Sequence, residues 1–169
     1  MIDYSKEFNC DTTSKIVFGE CISTLFNDRI HIEFTPNTTD GLDAFATATT
    51  KSQITYAFEL KERDYPYDAF DEWMLEPKKK FELDMANRQG YKEMYVNLWD
   101  QGNDIWHIAI WDIKKTPPKK QQTFKTNRQT VHPEKGKVNR QRYLLPITDA
   151  VIDIVYDRNK RQIIKRYDS

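Results

Sequence analysis

Ile54-Thr55-Tyr56-Ala57-Phe58-Glu59-Leu60-Lys61 alternates its apolar residues, and Gly41-Leu42-Asp43 precedes it at the end of a Gly-containing turn. Residues two apart on a strand share a face. Tyr56, Phe58 and Leu60 are therefore expected to enter a core while Glu59 and Lys61 project together beside Ala57. A strand is read from Leu42 to Thr49 and another from Gln53 to Glu62, and the short Thr50-Lys51-Ser52 link makes them an antiparallel hairpin. Two carboxylates and an ammonium thus converge. Such a set can hold a divalent metal through Asp43 and Glu59 and place a cation near an attacking water or a phosphate. The plain structural alternative is a solvated pair on the outer face of a sheet, worth ~0.2–1 kcal/mol and no chemistry. Glu-x-Lys arises readily in a chain with 31% charged residues, so position rather than composition favours the sharper reading.

Outward from this hairpin, Asp11-Thr12-Thr13-Ser14 offers N-cap oxygens to a helix read from Lys15 to Asn27, with Ile16, Val17, Cys21, Leu25 and Phe26 on near-helical spacing. Arg29-Ile30-His31-Ile32-Glu33-Phe34 alternates as a half-buried strand, and Pro36-Asn37 and Asp40-Gly41 supply turns. On the other side, Pro77 suits the first turn of a helix that runs to Arg88 and ends at Gly90. Lys78-Lys79-Lys80 then falls at the positive end of that helix, an unfavourable placement that calls for solvent or a nearby anion. Met94 to Trp99 and Ile105 to Trp111 read as a hairpin across Asp100-Gln101-Gly102-Asn103-Asp104. Tyr143 to Pro146 and Ala150 to Tyr156 form a further ordered element of undecided type, and the tail from Arg158 to Ser169 is expected to fray.

Asp43 followed by Glu59-x-Lys61, within helix, three strands, helix, strand, resembles the signature of the PD-(D/E)XK nuclease superfamily over roughly residues 15–113. The resemblance implies an α/β fold with a central mixed sheet flanked by helices, the restriction-endonuclease-like core. It implies Mg2+, with Mn2+ as substitute, held by Asp43, Glu59 and the carbonyl of Leu60, and Lys61 orienting or helping to deprotonate the water. The implied reaction is hydrolysis of DNA phosphodiester bonds to 5′-phosphate and 3′-hydroxyl ends. The family often carries an acid on its first helix, which nominates Glu20, and a polar or basic residue on the second, which nominates Lys80 and Arg88. Relatives often cut as dimers. Leu42 stands where the family often has Pro, and Asp40 competes with Asp43 for the first acid.

Charge is segregated along the chain. Lys and Arg together equal Asp and Glu at 26 each, yet Lys114, Lys115, Lys119, Lys120, Lys125, Arg128, Lys135, Lys137, Arg140 and Arg142 face only Glu134. This basic loop or insertion, residues 114–142, can neutralise phosphates locally because screening limits the distant acids to about a Debye length, ~8 Å. Lys119, Lys120, Lys125 and Arg128 are its candidate nucleic-acid contacts; a solvated loop is the alternative. A chain of 169 residues is expected to form one domain. No apolar run approaches the ~20 residues of a membrane span, and the start lacks a secretory pattern, so a cytoplasmic place is expected. Cys10 and Cys21 read as free thiols, and His31, His107 and His132 lack a paired zinc spacing. Trp99, Trp106 and Trp111 read as core more readily than as base-stacking platforms. A rival to the nuclease is an inactive binding module on the same fold, including a phage or mobile-element protein that binds nucleic acid or a host protein.

Overall fold

The computed structural model describes residues 12–36, 41–127, 134 and 136–167. α1 (Thr13–Leu25) leads into β1 (Ile30–Phe34), β2 (Ala44–Ala48) and β3 (Thr55–Glu62), which pair as an antiparallel meander. After β4 (Glu72–Leu75) and α2 (Pro77–Arg88), β5 (Lys92–Asp100) lies parallel to β3 and forms a hairpin with β6 (Ile105–Asp112). A tight turn cannot join parallel neighbours, so residues 63–91, carrying β4 and α2, make the crossover. β7 (Lys120–Asn127), β8 (Lys137–Pro146), β9 (Ile152–Asp157) and β10 (Gln162–Arg166) complete the order. One curled mixed sheet runs β1-β2-β3-β5-β6-β9-β10, and a second runs β4-β8-β7. The mixed α/β class expected from the sequence is what forms.

Each face of the large sheet has its own core. Val17, Phe18, Cys21 and Ile22 of α1 are at most 1% exposed and pack with Phe58, Val96, Ile108 and Ile154. Phe18 meets Phe58 edge-on with ring centroids 5.0 Å apart. Burying a side chain of this class contributes ~1.5–3 kcal/mol, which outweighs the propensity cost of Val and Ile in a helix. The opposite face carries Ala57, Tyr95, Trp99 and Trp111 against Leu83 and Ala86 of α2 and Trp73 and Leu75 of β4. α2 starts with Pro77 in the first turn and stops before Gly90, whose φ of +95° is cheap only for glycine.

Two expectations change. Much of the basic stretch expected as a loop is the β7–β8 hairpin, with Lys125 opposite Asn139 and Phe124 opposite Arg140. The segment after Arg158, expected to fray, adds β10 to the sheet edge, where Ile163 packs against the α1-side core. The undecided element near Ala150 is β9. Cys21 is a buried free thiol, whereas Cys10 and His132 lie outside the described residues. Trp99, Trp106 and Trp111 are all buried, as core residues should be. Among the described residues no helix is long and apolar enough to cross a membrane.

Candidate functional site

Register places the first acid. Ala44 pairs with Phe58 across the β2–β3 hairpin, so Asp43, one step before, stands beside Glu59, one step after. Directly opposed residues on one face bring their side chains together. The Asp43 N–H donates to the Phe58 carbonyl at 3.0 Å, and Asp43 Oδ2 accepts the Leu60 N–H at 2.8 Å, so the side chain extends the ladder beyond the strand. Asp40, the competing acid, lies outside the described residues.

Glu59 is buried, 6% exposed, on the α2 side of the sheet. Burial, with the charge of Asp43 added, pushes its carboxyl up to about 8 against the opposing pull of the Lys79 ammonium. Lys79 reaches the pair from the first turn of α2, with Nζ 3.1 Å from Glu59 Oε2 and 3.3 Å from Glu82 Oε2, and it donates to the Gly41 carbonyl at 2.7 Å. Burial alone would lower its pKa, yet Glu59 and Glu82 together hold it above its ordinary value. The close ammonium does not satisfy the acids fully. Glu59 Oε2 and Glu82 Oε2 are both buried and lie within ion-pair distance of Lys79 without meeting full hydrogen-bond geometry.

Lys61 follows Glu59 by two residues, opposite Asn97 of β5, and is exposed. It makes no ion pair or hydrogen bond with a described residue, which leaves its ammonium available on the rim. Asp43, Glu59 and Lys61 are thus gathered at one end of β3. The buried, unbonded Glu59 Oε2 beside a second carboxylate and the strand backbone at Leu60 is a donor set that suits a hard cation with oxygen ligands. Among the described residues there is no group of three or more His, Cys, Asp or Glu side chains arranged to share a metal, so any ion here would complete its shell with carbonyl and water oxygens.

Glu20 is not brought to this group. It is fully buried under α1, in the core on the other side of the sheet, and Arg158 donates to its carboxylate through Nε at 3.0 Å. Burial raises its pKa while Arg158 opposes the rise. Lys80 pairs with Asp84 at 2.8 Å, one helical turn away, and Arg88 lies at the end of α2 near Met85. Lys119 pairs with Asp149 at 2.8 Å; Lys125 is exposed on β7, which also carries Lys120. Arg128 lies outside the described residues.

Sequence reasoning did not single out Lys79 or Glu82. The signal was present: three lysines at a helix N-terminus need an anion, and Glu59 and Glu82 meet that need for Lys79. It also passed over His107 and Asp153, a buried pair whose partnership depends on β6 lying beside β9. Comparison with family models, characterised proteins and solved structures finds no match for this chain.

Proposed function

We propose that this chain is a divalent-metal-dependent nuclease that hydrolyses DNA phosphodiester bonds, on a restriction-endonuclease-like core of the PD-(D/E)XK kind. The observation that carries the reading is the Asp43–Glu59 pair with a buried Glu59 oxygen lacking a hydrogen bond. The order α1, β1, β2, β3, α2, β5, with β3 and β5 parallel, supports it as well.

Asp43, Glu59 and the Leu60 carbonyl would hold Mg2+ or Mn2+. That ion would neutralise developing charge on the phosphate and lower the pKa of a bound water. Lys61, exposed beside Glu59, would orient the water or a phosphate oxygen through its ammonium. Lys79 offsets the charge of two neighbouring acids and keeps them close before an ion arrives. Lys125 on the basic hairpin, with Lys119, Lys120, Arg128 and the α2 residues Lys80 and Arg88, would hold phosphates without reading sequence. The proposed place of action is the cytoplasm, with two copies of the chain required where both strands are cut.

Cleavage of supercoiled, branched and single-stranded DNA in Mg2+ or Mn2+, compared with chelator, tests the reading. Activity should require the metal and vanish in Asp43→Asn and Glu59→Gln. One observation favours a second reading, an inactive binding module on the same fold: the Lys79 ammonium already supplies a resident cation to Glu59 and Glu82. DNA binding with no metal-dependent cleavage on any of these substrates would select it.

A further inference from the structure

Glu59, Lys61 and Arg63 alternate along one face of β3, and the Arg63 N–H donates to the Leu98 carbonyl at 2.9 Å, so the ladder with β5 continues past the end of the strand. Tyr95 stands opposite Glu59, and Asn97 stands opposite Lys61. The Arg63 side chain binds both of them: Nε donates to Asn97 Oδ1 at 3.0 Å and Nη2 to the Tyr95 hydroxyl at 2.8 Å, with a further bond from Nη2 to the Met74 carbonyl at 2.8 Å. Its guanidinium is therefore held beside the candidate site.

All of these acceptors are neutral. Arg63 is half-buried, 5.3 Å from the centroid of the Trp73 ring, and it makes no ion pair with a described carboxylate. Its Nη1 has no partner among the described residues and is not closed off from solvent. A guanidinium fixed by neutral groups, with the donors of one nitrogen to spare, is pre-organised for an anion such as a phosphate.

Arg63 also lines a cavity of about 670 Å³, together with Tyr65 and Phe70. Tyr65 is 63% exposed and Phe70 48%, and the rings meet edge to face at 5.5 Å between centroids, so neither covers both faces of the other. In the same lining Arg142 lies over the Phe124 ring, 4.4 Å from its centroid, and donates to Gln122 Oε1 at 3.0 and 2.6 Å. Flat, accessible rings and a fixed planar cation are what nucleobases stack on. Asp71 and Glu72 balance the two arginines, so the cavity suits bases better than a run of phosphates.

We propose that unpaired bases of a DNA strand occupy this cavity, stacked on Tyr65 and Phe70, while Arg63 holds the phosphate between them and the Asp43–Glu59 pair. Bases within a duplex already cover each other's faces, so the site selects single-stranded over duplex DNA. The inference rests on the nuclease reading and narrows its substrate to DNA that is unpaired beside the cut.

Fluorescence anisotropy of labelled oligonucleotides with the full chain in chelator tests it without cleavage. The probes are a single strand of mixed sequence, its blunt duplex and an abasic strand of equal length. The single strand should bind about tenfold more tightly than the duplex, and about tenfold more tightly than the abasic strand, which keeps the phosphates but offers no rings. Tyr65→Ala/Phe70→Ala removes largely exposed side chains, and should weaken single-strand binding about tenfold while leaving the abasic strand unchanged. Arg63→Gln should weaken the intact and abasic strands alike and lower the log-log salt slope by ~0.7. Should Arg63→Gln not fold, the aromatic variant decides by itself. Equal affinity for the three probes, or a double aromatic variant that binds the single strand as wild type does, would overturn the proposal. Metal-dependent cleavage beside that result would keep the nuclease reading and remove only the strand site. Single-strand preference that is lost in the aromatic variant, with no cleavage of any substrate, would keep the strand site and remove the nuclease.

Discussion

Lys79 on α2 and Glu59 on β3 stand 3.1 Å apart, the ammonium at the positive end of its own helix and the carboxylate in the interior beneath it. Each position is unfavourable for an isolated charge. Together they tie the crossover helix to the strand that carries the candidate chemistry, and several consequences can be measured there.

Stability in chelator should fall as pH rises. Glu59 titrates near 8 in the fold against an ordinary value of 4.5, so between these values the unfolded chain releases a proton that the folded chain keeps. The contribution is fully present below about pH 4.5 and is lost as pH rises through about 8, with a slope of up to ~1.36 kcal/mol per pH unit. Glu59→Gln should flatten this part of the profile. Melting curves of both proteins from about pH 4 to 9 give the difference directly, and a difference independent of pH counts against the buried, protonated Glu59.

Divalent metal should reverse that trend, because only the ionised pair binds it. Mn2+ at a hundredfold excess over its dissociation constant should add ~2.7 kcal/mol to wild-type stability. Asp43→Ala and Glu59→Ala should remove the gain without unfolding the protein. Glu20→Gln should retain it, since Glu20 is committed to Arg158. A full metal response in both acid variants would show that the ligands lie elsewhere.

Lys61→Ala should separate chemistry from binding. The exposed ammonium has no described partner to lose, so folding should change little. Cleavage should slow by ~10²–10⁴-fold, the usual scale for one general acid–base or electrostatic group, with DNA affinity nearly unchanged. Single-turnover rates beside equilibrium binding make the distinction, and a parallel loss of both would make Lys61 a binding contact.

Arg158→Ala should destabilise the fold by ~3 kcal/mol, because Glu20 is fully buried and would be left as an unpaired carboxylate. Glu20→Gln in that background should restore part of the loss. Denaturant unfolding of the two single variants and the double variant checks the coupling. Additive losses would mean that the pair does not interact.

Replacing Lys119, Lys120, Lys125 and Arg128 by Ala should lower DNA affinity alike for all sequences. Each true phosphate contact removes ~0.9 from the log-log salt slope on duplex DNA. Lys125 should account for more than Lys119, whose ammonium is held by Asp149. An unchanged slope would take the β7–β8 hairpin out of the binding surface.

Local chemistry made part of this architecture readable in advance. Alternation in Thr55 to Leu60 has the period of a strand, the short apolar run Ile105 to Trp111 after a turn reads as a buried one, and Pro77 and Gly90 delimit α2 because each backbone conformation suits its residue. The meeting of Asp43 with Glu59 was also legible, since a short hairpin carries its register in its own sequence. β10 and the β7–β8 hairpin were not, because polar and basic strands lack strong alternation and form by docking on partners distant in sequence. The same holds for the ammonium at Glu59, the arginine at Glu20 and the aspartate at His107. Sequence set which groups must find partners when buried, because an unpaired charge or polar atom is costly wherever it lies. Only tertiary structure decided which partners those were, because pairing across the sheet and from helix to sheet follows from how apolar faces pack.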